Sequence, residues 1–182
     1  MPTHEVKPLL AQLPNTLTVA RLAVIPSFVV LAVRADEGQS LAAALVFGIA
    51  ALTDQIDGWL ARRWRVESDF GKLADPLADR LMIDAAVIIL WLEGRLPWFA
   101  LVIILARDGM LIVGSKFALS SSYEFSVSLL GKTATWILYA ALFGMMLTAA
   151  GTDWPLALFY AGLALAVAAG AGYVMAVRKA IG

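Results

Sequence analysis

Four carboxylates stand within 26 residues of one another in an otherwise oily chain: Asp54, Asp57, Asp75 and Asp79, in the stretch TDQIDGWLARRWRVESDFGKLADPLAD. Asp54 and Asp57 are spaced i,i+3, and Asp75 and Asp79 are spaced i,i+4, so on a helix each pair shares one face. Between the pairs come Gly58, Ala61 and Gly71, which have almost no side chain, and the basic run Arg62, Arg63 and Arg65. Four acids this close cannot all stay ionised unaided; either protons or cations must arrive. Charged groups in membrane helices are costly and usually functional. A divalent metal with hard oxygen ligands relieves the repulsion, which suits Mg²⁺ or Mn²⁺ rather than Zn²⁺. Glycine inside a helix weakens it by about 1 kcal/mol relative to alanine, a cost that makes sense at Gly58 if a ligand must approach the backbone. The stretch therefore reads as a divalent-metal site for a phosphate-bearing ligand. The competing explanation pairs the acids with Arg62, Arg63, Arg65 and Arg80, and leaves the small residues on the same faces unexplained.

The elements that must position these acids are membrane helices. The chain has 182 residues, 61% of them hydrophobic and only 15% charged, with a mean hydropathy of +0.81. That is the composition of a single-domain polytopic membrane protein. Formal net charge is zero, so nothing global points to nucleic acid. The absence of cysteine excludes disulfides, a thiolate nucleophile and a cysteine zinc site. The N-terminal segment MPTHEVKPLLAQLP lacks the pattern of a cleaved signal, and Pro8 and Pro14 bracket a short amphipathic piece expected at the membrane surface.

Six apolar stretches are each long enough, at about 20 residues, to cross a bilayer as helices. They are expected near 15–33, 40–64, 72–92, 97–119, 126–150 and 154–179. The expected fold is thus all-α: an interfacial segment over residues 1–14 and a six-helix transmembrane bundle over 15–182, forming one domain over 1–182. Orientation follows from the basic residues. Twelve of the fourteen lysines and arginines fall on one side, and only Arg34 and Arg95 on the other. Both termini are therefore expected in the cytoplasm, with Asp54–Asp79 straddling the cytoplasmic link between helices 2 and 3.

Charges outside this stretch carry weaker signals. Arg21, about six residues into helix 1, is expected to face a polar cavity. Arg107 lies about ten residues into helix 4, roughly 15 Å from its outer end, and suits an anionic acceptor or a lipid phosphate, with pairing to Asp84 or Asp108 as the competitor. Asp84, five residues beyond Asp79, is turned away from the acidic face and reads as structural. Lys132 either touches a phosphate or snorkels to the interface. His4 is assigned no role. The small residues Gly162, Ala166 and Gly170, and again Ala168, Gly172 and Ala176, read as surfaces for close helix packing.

The pattern Asp54-x2-Asp57-Gly58-x2-Ala61-Arg62-x8-Gly71-x3-Asp75-x3-Asp79 resembles, position for position, the signature of the CDP-alcohol phosphotransferase family. It fixes eight positions in 26 residues and lies, as in the family, between two membrane helices. The resemblance implies a six-helix homodimeric membrane enzyme that cleaves the pyrophosphate of a CDP-linked lipid, releases CMP and transfers the phosphatidyl group to an alcohol. Carried over by position, Asp54, Asp57, Asp75 and Asp79 are metal ligands for two divalent ions, Mg²⁺ or Mn²⁺, and Asp79 is also the catalytic base. Asp57, Gly58, Ala61, Arg62, Gly71 and Asp75 form the CDP pocket.

Such an enzyme uses CDP-diacylglycerol among membrane lipids and has no nucleic-acid partner. It belongs in the bacterial cytoplasmic membrane, or the mitochondrial inner membrane in a eukaryote, with its site on the cytoplasmic face. The local sequences Arg107-Asp108-Gly-Met-Leu and Gly131-Lys132-Thr-Ala-Thr resemble the cardiolipin synthase branch, whose acceptor is phosphatidylglycerol. Phosphatidylglycerophosphate synthases, which use glycerol-3-phosphate, typically show Arg-Glu, a second Arg about eight residues on, and Gly-Lys-x-Lys-Thr. Ser115 and Ala134 depart from that pattern, although Lys116 stands beside Ser115. Arg21, Arg107, Lys116 and Lys132 are the candidates for the acceptor or lipid phosphate. Phosphatidylglycerol is the preferred acceptor, glycerol-3-phosphate the alternative and an inositol phosphate a distant third. A magnesium-dependent prenyltransferase would separate its two acidic motifs further in sequence, and a cation transporter would spread its acids along a path through the bilayer.

Overall fold

The computed structural model describes the backbone of residues 8–36, 38–64, 69–120 and 129–181. Side chains are described for these residues except 8–19, 21, 54–64, 69–79, 111–120, 173–174 and 176–181. Six helices account for nearly all of it: α1 (Pro8–Val33), α2 (Leu41–Trp64), α3 (Asp69–Leu92), α4 (Trp98–Ser120), α5 (Leu129–Leu147) and α6 (Asp153–Ile181). These bounds follow the apolar stretches of the sequence, with one difference. Pro8–Pro14, expected as a separate surface segment, is already helical and continuous with α1. Proline at a first helical position gives up a hydrogen bond that no helix end makes, and Pro14 costs the helix one further bond.

Among the described residues, two segments, Leu129–Leu147 and Asp153–Gly172, are long and apolar enough to cross a membrane. Leu22–Val33 and Leu41–Thr53 are apolar but shorter. In α2 the apolar run stops where Asp54, Asp57, Arg62 and Arg63 begin, so the helix that carries the acids is oily in one half and charged in the other.

The core lies where α1, α2, α3 and α5 meet. Phe28, Phe47 and Tyr139 form a line of tilted rings through it, with centroids 5.6 and 5.3 Å apart. Met82, Ile83, Val87, Leu90, Leu138 and Leu142 fill the rest. Ala43, Ala44, Ala86, Ala100, Ala134 and Ala141 are fully buried, and residues this small let helix backbones come close. The tightest approach is between α5 and α6. A Cβ on Gly162 would meet Ile137 and Leu138 at 3.0 Å, and one on Gly144 would collide with the Trp154 indole. Gly162 and Ala166 thus form the close-packed surface expected of them. At Gly170 and Gly172 an added Cβ would meet nothing within 4 Å among the described residues. Outward-facing large apolar residues such as Ile49, Leu92, Trp98, Val102 and Val167 form the kind of surface that lipid covers.

The three described turns, between α1 and α2, α3 and α4, and α5 and α6, share one end of the bundle and are built on local chemistry. Ser40 caps α2 by accepting from the Ala43 amide at 3.1 Å. The end of α3 is a Schellman motif: Arg95 N–H donates to the Leu90 carbonyl at 2.8 Å and Gly94 N–H to the Trp91 carbonyl at 2.9 Å. Gly94 takes the required left-handed conformation, φ +69°. Arg95 then joins all three turns. Its guanidinium donates to the carbonyls of Gly38 (3.3 Å), Met145 and Ala149 (3.2 Å). Gln39 donates to the Leu147 carbonyl at 3.1 Å and the Ser40 amide to the Met146 carbonyl at 2.9 Å. A cation placed on the orphan carbonyls at the C-terminus of α5 also meets the negative end of its dipole.

Arg95→Ala should therefore cost about 2–4 kcal/mol and lower the melting temperature in detergent by about 5–10 °C. An unchanged melting temperature would show that the clamp contributes nothing.

Candidate functional site

The site is built on α2 and α3. The backbone places Asp54 and Asp57 one turn apart on α2, and Asp75 and Asp79 one turn apart on α3. Gly58, Ala61 and Arg62 lie on α2 and Gly71 on α3. The side chains of all eight motif residues, and of Arg21 on α1 and Lys116 on α4, lie outside the described residues, so their contacts are not stated. Among the described residues no group of three or more acids or histidines could hold a metal ion. The donor set of the motif itself, four carboxylates with two on each helix, is of the hard-oxygen type that fits Mg²⁺ or Mn²⁺.

Immediately beyond Asp79 the described side chains form one connected polar cluster inside the bundle. Asp108 of α4, only 1% exposed, is its centre. A single carboxylate oxygen, Oδ1, accepts from Arg80 of α3 at 2.5 Å and from Arg107 at 2.9 Å. Arg107 also donates from Nη2 to Thr135 Oγ1 of α5 at 3.3 Å, and that hydroxyl donates back to the Gly131 carbonyl at 3.0 Å. Asp84, one helical turn beyond Arg80, lies within electrostatic reach of Asp108, Arg80 and Arg107. Three helices are thereby tied together through charged groups. Breaking a buried pair by removing one partner typically costs about 3–5 kcal/mol, because it strands a charge.

The cluster is not fully satisfied. Arg80 Nε is buried without a hydrogen-bond partner, which costs about 1–3 kcal/mol, while the Asp84 and Asp108 carboxyls lie within hydrogen-bonding reach of each other.

Several sequence expectations can be compared with this geometry. Arg107 does pair with Asp108, the competitor weighed against a phosphate role. Arg80 pairs with Asp108 across to α4 rather than standing only as a counter-charge to the acids beside it in sequence. Asp84, read from the sequence as structural, belongs to the polar cluster. Lys132 is exposed and sits three residues before Thr135, on the same face of α5, so the helix face that receives Arg107 is also the one bearing Lys132. Sequence reasoning assigned no role to Thr135 and did not connect Arg80 with Asp108. The available signal was two opposite charges, Arg80 and Asp108, each set in an apolar helix.

Comparisons with known proteins place the chain among its relatives. Residues 11–172 match the family model for CDP-alcohol phosphatidyltransferase. A CDP-diacylglycerol–glycerol-3-phosphate 3-phosphatidyltransferase of Bacillus subtilis is 35% identical over 148 residues, covering 74% of this chain and 76% of that protein. A CMP-forming cardiolipin synthase of Streptomyces coelicolor is 38% identical over 146 residues, covering 78% and 67%. A CDP-diacylglycerol–glycerol-3-phosphate 3-phosphatidyltransferase of Rickettsia bellii is 32% identical over 141 residues, covering 78% of each. With nearly the whole chain matched and the acidic motif carried on adjacent helices, this protein belongs to the CDP-alcohol phosphatidyltransferase family.

Proposed function

We propose that the protein transfers the phosphatidyl group of CDP-diacylglycerol to phosphatidylglycerol, releasing CMP and forming cardiolipin. The observation that carries the transferase reading is the complete eight-position acidic motif, divided between α2 and α3, in a chain matched to the family over residues 11–172. In this reading Asp54, Asp57, Asp75 and Asp79 would hold two divalent ions, which supply charge neutralisation for the donor diphosphate and the departing phosphate. Gly58, Ala61 and Gly71 leave room for the cytidine diphosphate to approach the backbone, and Arg62 supplies a fixed positive charge beside it. Asp79 accepts the proton of the acceptor hydroxyl as that oxygen bonds to the lipid-side phosphorus. The bond from phosphorus to the bridging oxygen breaks, and CMP leaves with the electron pair. Catalysis of this kind depends on positioning and charge compensation rather than on a covalent enzyme intermediate.

Arg107 and Lys132, with Arg21 and Lys116, are assigned to the acceptor or lipid phosphate. Two structural observations support a phosphodiester acceptor. Arg107 is partly neutralised by Asp108, which lowers its pull on a dianion. Ala134 stands where a phosphatidylglycerophosphate synthase typically places its second lysine, and here it is fully buried. Glycerol-3-phosphate remains the second reading because two of the relatives above carry that acceptor in their names.

The six helices serve as six membrane spans, with the segment before Asn15 at the surface and both termini in the cytoplasm. This assignment rests on the basic residues concentrated at one side. The protein works as a homodimer in a bacterial cytoplasmic membrane or a mitochondrial inner membrane, with the acidic site open to the nucleotide-bearing side.

Purified protein given CDP-diacylglycerol and Mn²⁺, with phosphatidylglycerol or glycerol-3-phosphate offered separately, is expected to yield cardiolipin with the first only, as read by lipid mass. Phosphatidylglycerophosphate formed with the second would overturn the acceptor assignment. Asp79→Asn is expected to retain binding of CDP-diacylglycerol while turnover falls by about 10²-fold or more. Turnover near that of the wild type would remove Asp79 as the base.

A further inference from the structure

The Asp108 carboxylate joins three helices that the proposed reaction divides between donor and acceptor. On α3 it holds Arg80, the residue immediately after Asp79. On its own helix it holds Arg107, which crosses to Thr135 on α5, one turn from Lys132. We propose that Asp108 is a positioning residue for phosphatidyl transfer, acting through Arg80 and Arg107 to set the acceptor-side cations of α4 and α5 against the carboxylate-bearing turn of α3. This inference rests on the roles proposed above for that turn.

Three features carry it. Both guanidiniums converge on the same carboxylate oxygen, so a displacement of α3 is felt directly at Arg107. The Arg80–Asp108 pair joins α3 to α4, and among the described residues no other ion pair joins two helices. Arg80 Nε is buried without a partner, and two carboxyls, Asp84 and Asp108, are brought within hydrogen-bonding reach of each other. A cluster selected only to hold the fold together would avoid both or replace the charges with apolar groups, since a well-packed apolar substitute is commonly as stable as a buried ion pair. Retaining charged groups at this cost, one residue beyond the proposed base, is what a geometric role demands. In-line transfer tolerates little misplacement, and a shift of about 1 Å can cost about 10²-fold in rate.

The test compares wild type, Asp108→Asn, Arg80→Lys and the double variant in detergent, following CMP release while donor and acceptor are titrated separately. Asp108→Asn keeps the shape and removes the charge; Arg80→Lys keeps the charge and loses the planar fork. Positioning predicts that each single variant loses about 10- to 100-fold in kcat, raises the acceptor KM several-fold and leaves the CDP-diacylglycerol KM within two-fold. The double variant should lose less than the product of the single losses. If Asp108→Asn does not fold, Arg80→Lys alone decides.

A merely structural role predicts lower folded yield and melting temperature, with kcat per folded molecule and both KM values unchanged; that result overturns the inference and leaves the functional reading intact. A wild-type protein that releases no CMP with either acceptor overturns the functional reading and this inference with it.

Discussion

The structure depends on the cost of burying charge in a chain this apolar. An unpaired ion in a low-dielectric interior is unfavourable enough that it must be matched, moved to an interface or neutralised. Asp108 is the clearest case: it is 1% exposed and accepts from two arginines. Its partners come from α3 and from its own helix, and Arg107 extends the chain of contacts to α5. The helices around this point are joined by these polar contacts in addition to the alanine-lined contacts of the core. The four motif acids, two on each of two adjacent helices, face the same constraint, and relief of their mutual repulsion is the physical reason for proposing a divalent metal there.

The two ends of the bundle are built differently. At the end bearing the three described turns, Arg95 gathers those turns onto the carbonyls that α5 leaves unsatisfied. Gly94 ends α3 in the left-handed conformation such a stop requires. The other end carries the acids of α2 and α3 along with Gly58, Ala61 and Gly71. One end is clamped, and the opposite end is where the proposed reading brings the diphosphate. That division suits an enzyme whose lipid donor and soluble leaving group must both reach the same site.

Much of this was legible in the sequence, and the limits have physical causes. The helices follow the apolar stretches because a run of about 20 oily residues has one stable form in a membrane. The motif was legible because Asp54, Asp57, Asp75 and Asp79 pair within single helices, where spacing alone sets which face they share. Arg80–Asp108 was not legible, since it joins residues 28 apart in sequence on different helices. Arg95 was counted only as one of two charges on the outer side; that it caps α5 depends on where three separate turns meet. The small-residue pattern of α6 is matched by packing within the described residues in its first half. Gly162 meets α5 and Ala166 is buried, while a Cβ on Gly170 or Gly172 would meet nothing within 4 Å among the described residues, because periodicity shows which residues share a face but not which face meets a neighbour.

The account rests on the motif acids holding divalent metal, and direct binding tests it without relying on turnover. Mn²⁺ titrated into purified protein and followed by electron paramagnetic resonance should show two bound ions per chain in the presence of CDP-diacylglycerol. Asp75→Asn should lose at least one of them. Binding no greater than in a detergent blank, or binding unaffected by Asp75→Asn, would contradict the account.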